Sequence, residues 1–219
     1  MKAMPHQSHP EVRVLHLLRV RGCVDTHLVA DACVMEVPEA EEWLVHLESS
    51  GNARYRDGRM SGWMLTAEGR DRGETLLATE LDEAGCRDEV HSAYQEFLSV
   101  NHGFLELCTD WQLRAPADDP AGEKVINDHS DPDHDAAVVS RLVEVNEVVQ
   151  PISAELATLL QRFDGYGRRF GGALERVMAG DHDWFTKPMI ESYHTVWFEL
   201  HENFLATLGI PRASEAQAT

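Results

Sequence analysis

Apolar positions recur at helical spacing through most of the chain. From Glu11, the series Val12, Leu15 and Leu18 steps by three and stops at Gly22, which predicts a first helix. Leu28, Val29 and Ala32 mark a second, with Asp25 or Thr26 as its N-cap. Pro38 suits the first turn of a third, where Ala40, Trp43, Leu44 and Leu47 share a face before Ser50-Gly51 ends it. The pattern then changes. The stretch NARYRDGRMSGWMLT predicts two short strands around Asp57-Gly58, with Gly62 closing the turn region. Thr66 then caps a helix running through Leu76 and Leu77.

Beyond that point the pattern is helical throughout. A long amphipathic run from about Asp88 to Leu113 carries Val90, Tyr94, Phe97, Leu98, Phe104, Leu105 and Leu107. The polar stretch APADDPAGEKVINDHSDPDHD predicts the main loop. Helices are expected at 132–161, bent near Pro151, at 164–179 and at 188–208, with no internal repeat. The chain therefore reads as mainly α: an N-terminal domain over 1–83 ending in a β-hairpin and a helix, and a helical domain over 84–219.

Three helices, a hairpin and a further helix is the order of a winged helix-turn-helix. With the hairpin arginines Arg54, Arg56 and Arg59 and the exit Leu65-Thr66-Ala67-Glu68-Gly69, the first third resembles MarR-like winged-helix regulators. The resemblance implies a homodimer binding double-stranded DNA, with a helical domain that senses a small-molecule effector or mediates association. In that fold the third helix enters the major groove and the hairpin wing touches phosphate or the minor groove. The residues so placed are Arg54, Arg56, Arg59, His46, Ser49 and Arg21.

Charge bears on that expectation. The chain carries a formal net charge of −19, which repels phosphate polymers as a whole. Residues 1–80 hold nine Lys/Arg against thirteen Asp/Glu, a net −4. The third helix offers Glu39, Glu41, Glu42 and Glu48 outward and no cation, so phosphate affinity falls to the hairpin. An acidic helix also suits protein docking, which leaves a protein-interaction accessory module as the alternative. Thr109-Asp110-Trp111-Gln112-Leu113-Arg114 and Ser192-Tyr193-His194-Thr195-Val196-Trp197 resemble, more weakly, helical segments accompanying phosphoenolpyruvate-utilising enzymes. That resemblance implies such an enzyme as the docking partner.

The stretch His182 to Gly209 is the densest in aromatic and histidine side chains. Its stripe Ile190, Tyr193, Trp197, Leu200, Phe204 and Leu208 is that of a core helix. His194 and His201 lie seven residues apart, about 10.5 Å along a helix, too far to share a zinc ion. A second polar face is His102, Glu106 and Asp110 at helical spacing. Convergence of His102 and Glu106 with Glu191 and His194 would make a metal-dependent helical-bundle enzyme. The favoured expectation is a ligand pocket lined by His102, Glu106, Trp111, Trp184, Tyr193, His194 and Trp197, with no metal, no cofactor and no catalytic residue.

Three strings are set aside. Asp131-Pro132-Asp133-His134-Asp135 begins like a calcium loop, but Ala136 and Leu142 stand where glycine and glutamate are required. Asp131 as N-cap with Pro132 in the first turn accounts for it. The segment His134 to Arg141 is similar to a phosphohistidine segment, without its glycine-rich and threonine lead-in. GYGRRFGG lacks the lysine ending of a phosphate loop. The four cysteines form no Cys-x-x-Cys pair and read as free thiols of a reduced compartment. The start MKAMPHQSHPEV has no apolar signal region and no run approaches a membrane span, so the expected location is the cytoplasm.

Overall fold

The computed structural model describes residues 4–116 and 122–212. The protein is mainly helical. Its elements are α1 (Pro10–Arg21), α2 (Thr26–Cys33), α3 (Val37–Ser49), β1 (Ala53–Arg56), β2 (Gly62–Leu65), α4 (Ala67–Ala84), α5 (Arg87–Gln112), β3 (Leu113–Arg114), β4 (Val125–Ile126), α6 (Pro132–Leu159), α7 (Tyr166–Met178), α8 (Asp183–Thr186) and α9 (Tyr193–Leu208). Among the described residues no helix is long and apolar enough to cross a membrane. The chain divides into two compact units: residues 1–91 with 158–162 and 199–219, and residues 92–157 with 163–198.

In the first unit the expected caps are in place. The Asp25 carboxylate accepts the Leu28 amide at 2.9 Å, and Thr66 Oγ1 accepts the Gly69 amide at 2.9 Å. Each satisfies an amide that a helix start leaves without a partner. Leu15, Leu18, Val29, Ala40, Leu44 and Leu47 form the core with Trp63 of the hairpin. β1 and β2 pair antiparallel, Ala53 opposite Leu65 through Arg56 opposite Gly62. Trp63 anchors the hairpin base: its amide donates to the Val24 carbonyl at 2.7 Å, and its indole donates to Thr26 Oγ1 at 3.2 Å. Gly69 lies so close to the Asn52 backbone that a side-chain carbon there would run into the Asn52 carbonyl oxygen.

The same unit buries a polar cluster. Arg162 donates to Glu80 at 2.7 Å, with both side chains under 5% exposed, and also to the Asn203 amide oxygen. Burial, reinforced by the Arg162 and Arg19 charges, holds the His16 imidazole well below its ordinary value of 6.5. The folded protein therefore keeps His16 neutral where an unfolded chain takes up a proton. Stability is expected to fall as pH drops below about 6.5. The check is urea unfolding at pH 7.5 and 5.5: His16→Leu should lose less stability between the two than the wild type.

Two expected elements differ in the second unit. The last helix begins at Tyr193 rather than at residue 188. Met189 has a left-handed backbone, φ +66°, which breaks the helical path, and the Ser192 hydroxyl caps the new start by accepting the Thr195 amide at 3.3 Å. Part of the expected loop is structured: Leu113 pairs with Ile126 and Arg114 with Val125. Residues 117–121 of that loop lie outside the described residues. α6 runs through Pro151 without ending. The core of this unit is aromatic. Trp197 packs on Phe97 and Phe104 at centroid distances of 4.5 and 4.2 Å, and Phe170 lies 4.9 Å from Tyr193.

Candidate functional site

Two places in the molecule concentrate chemistry, one in each unit. In the first unit it is the hairpin. Every residue from Arg54 to Ser61 is exposed, including Arg54, Arg56, Arg59 and Tyr55. Among the described residues none of the three arginines is ion-paired. Val37 to Ser49 places His46 and Ser49 on the exposed side of α3, in the company of Glu39, Glu41, Glu42 and Glu48. Glu48 also accepts the Tyr55 amide at 3.4 Å, linking α3 to the hairpin. Arg21 is occupied differently: it pairs with Glu199 at 3.2 Å, and the carboxylate is only 8% exposed. Of the expected contact residues, the three arginines form the free basic group, with His46 and Ser49 among carboxylates.

In the second unit, among the described residues, two of the seven expected ligand contacts are core side chains and two stand on an exposed helix face. Tyr193 and Trp197 are buried in the aromatic core. The Tyr193 hydroxyl donates to Asn146 at 3.3 Å and the Trp197 indole to Asn101 at 2.9 Å, so their polar ends are already satisfied. His194 stacks on Phe104, and burial lowers its pKa. His102 and Glu106 are strongly exposed and pair with each other at 3.3 Å along one helix face. Trp184 lies under the Arg176 guanidinium at 4.1 Å. Glu191 is paired with Arg169. Among the described residues His102, Glu106, Glu191 and His194 form no group within ligand reach. Asp110 is held by Lys124 at 2.9 Å and Arg141 at 2.8 Å, which ties the residue before β4 and α6 to the end of α5.

Trp111 is the exception, because it marks a site that the spacing of the sequence did not reveal. It is 3% exposed, and around it lie His129, His182 and Phe185 at centroid distances of 4.6, 5.3 and 4.7 Å. The β3–β4 ribbon places the first partner. After Ile126 the Asn127 amide donates to the Gln112 carbonyl at 2.8 Å, continuing the ribbon. The Asn127 side chain then donates to the Trp111 carbonyl at 3.1 Å and to Asp135 Oδ1 at 2.8 Å. Its amide oxygen accepts the His129 backbone amide at 3.1 Å. That bond holds His129 in the left-handed region, φ +59°, a conformation that costs about 1–3 kcal/mol and needs support.

His129 Nδ1 lies 2.9 Å from Asp135 Oδ2. Asp135 is 8% exposed and stands in the first turn of α6, a turn set by Pro132 and by Asp131, whose carboxylate accepts the His134 amide at 3.1 Å. His182 arrives from the turn between α7 and α8, its ring centroid 4.4 Å from that of His129. One ligand atom from each of His129, Asp135 and His182 lies within 4.8 Å of the other two. Outside this group Arg114 reaches Asp128 at 3.0 Å, and the Ser130 hydroxyl donates to the same carboxylate at 2.7 Å, which clips the loop shut.

Two open clefts flank the group. One, of about 530 Å³, is lined by Trp111, His129, Asp135, Val139, Met178 and His182. The other, of about 490 Å³, has Trp111, Ile126, Asn127, His129, His182 and Lys187 on its walls. Both are of a size that takes a small molecule. Cys108, three residues before Trp111, is an inert thiol: it is buried, and burial pushes it up to about 12. His129 and His182 are far apart in sequence and follow no ligand spacing, and Asp135 reads in isolation as an ordinary first-turn acid. Compared with protein-family models, curated proteins and solved structures, the chain matches none.

Proposed function

We propose that the protein is a DNA-binding regulator of the winged-helix kind, in which the β1–β2 hairpin is the wing. One observation carries this reading: three arginines without carboxylate partners stand exposed on a hairpin anchored to three packed helices. The order α1–α2–α3–β1–β2–α4 supports it. The exposed carboxylates of α3 restrict the mode of binding, because they repel phosphate and offer no guanidinium to guanine. Contact is therefore led by the hairpin, through phosphates and the minor groove, and is steeply dependent on salt. The second unit supplies the effector or association function in this reading.

The test is binding of the full chain to fragmented genomic DNA over a salt series. A complex at low salt that dissolves as salt rises is expected. Replacing Arg54, Arg56 and Arg59 together by alanine should weaken it by about tenfold or more. Absence of any salt-sensitive complex at low salt removes this reading and leaves the acidic face of α3 as a protein-docking surface.

A further inference from the structure

We infer that His129, Asp135 and His182 bind a divalent transition-metal ion at the junction of the two clefts beside Trp111. The inference does not rest on DNA binding. It rests on three side chains from separate parts of the chain, brought within 4.8 Å of one another by three independent devices: the β3–β4 ribbon, the first turn of α6 and the α7–α8 turn. A left-handed histidine backbone and a nearly buried Asn127–Asp135 pair serve no core packing that an apolar residue would not serve better. They hold donor atoms in place.

The geometry suits an ion. Two ligand atoms each about 2.1 Å from one metal lie about 3 Å apart at the right angle of an octahedral site and about 3.4 Å apart in a tetrahedral zinc site. His129 Nδ1 and Asp135 Oδ2 are 2.9 Å apart. In the metal-free protein that separation is a hydrogen bond, with the proton on Nδ1. Entry of the ion shifts the imidazole to its other neutral tautomer, the Nδ1 proton passing to solvent as Nε2 takes one up, and the Nδ1 lone pair and the carboxylate oxygen both turn to the metal. Asn127 continues to donate to Oδ1 and fixes the carboxylate, the role that outer partners play around bound metals. His182 is exposed on its turn and closes as the third ligand, and the clefts leave further positions open to water or a ligand.

Two imidazoles and one carboxylate select the metal class. Magnesium and calcium take oxygen sets, and copper(I) takes sulfur, whereas zinc, cobalt and nickel accept imidazole with carboxylate. The net charge of −19 draws cations towards the protein.

The test uses the full chain freed of metal by chelator dialysis. Zinc chloride is titrated by calorimetry, and cobalt chloride is followed by absorption and by tryptophan fluorescence. One ion per chain is expected, with quenching that largely disappears in Trp111→Phe. His182→Ala lies on an exposed turn and leaves the fold intact, and it should weaken zinc about 100-fold. His129→Ala and Asp135→Asn should do the same, while His102→Ala, at the exposed pair with Glu106, should change nothing. Failure of the wild type to bind either ion overturns the inference. So does equal affinity and stoichiometry in the His129→Ala/His182→Ala double variant, which would place the ion elsewhere.

Discussion

Gly69→Ala is expected to cost the first unit about 3 kcal/mol, the upper end for overpacking. The added carbon would run into the Asn52 carbonyl oxygen and lie 2.7 Å from its carbonyl carbon. Those atoms belong to backbone that cannot rotate away. The same Asn52 carbonyl accepts the Thr66 amide at 3.1 Å, so moving it breaks the joint between α3, the hairpin and α4. Gly73, one turn along the same helix, is the control: an added carbon meets only Leu15 Cβ, at an ordinary 3.7 Å. Gly73→Ala should be neutral or stabilising by up to about 1 kcal/mol, the intrinsic helix preference of alanine. Urea unfolding of the two variants reads the difference directly. Equal midpoints would mean that Asn52 and Gly69 are not in contact.

Glu80→Ala is expected to be as damaging, for an electrostatic reason. The Arg162–Glu80 pair is almost completely buried at 3% and 4% exposure, and Arg162 also donates to the Asn203 amide. Removing the carboxylate takes a buried charge partner away from a guanidinium in the interior, which costs about 3–5 kcal/mol. Replacing both partners with apolar groups removes the stranded charge as well as the attraction. The double variant Glu80→Ala/Arg162→Met should therefore be more stable than Glu80→Ala alone. A thermodynamic cycle over the four proteins checks this. A Glu80→Ala cost below about 1 kcal/mol would mean that the pair is hydrated.

The contrast between these two positions shows what the chain discloses about itself. The start of α4 at Thr66 is legible because capping acts within a few residues, and the caps at Asp25, Thr66 and Asp131 are found where local chemistry puts them, whereas the approach of Gly69 to the distant Asn52 backbone leaves no such mark. The hairpin is legible for the same reason, from Asp57-Gly58 between two β-prone runs. The Arg162–Glu80 pair is invisible in the sequence, since nothing in either neighbourhood names the other. The start of α9 is not legible, because Met189 in a left-handed backbone has no sequence signal, unlike a glycine. The group at Trp111 is the strongest case. Trp111 itself is readable as an aromatic anchor, and Asp135 as a first-turn acid of α6, but His129 and His182 reach them through a two-residue ribbon and the turn before a four-residue helix, both too short to leave a periodic pattern. Conversely, Tyr193 and Trp197 look like a pocket wall by composition, although helical spacing marks them as core, where they lie.

The most direct measurement is the salt dependence of binding to a random-sequence duplex, by fluorescence anisotropy, for the wild type and for Arg54→Ala/Arg56→Ala/Arg59→Ala. Each phosphate contact contributes a slope of about 0.9 in log affinity against log salt. A hairpin that carries the contact gives a wild-type slope that falls by roughly two to three in the triple variant, with affinity falling in parallel. Identical slopes for the two proteins, or no binding by the wild type at low salt, would contradict a DNA-contacting role for the hairpin.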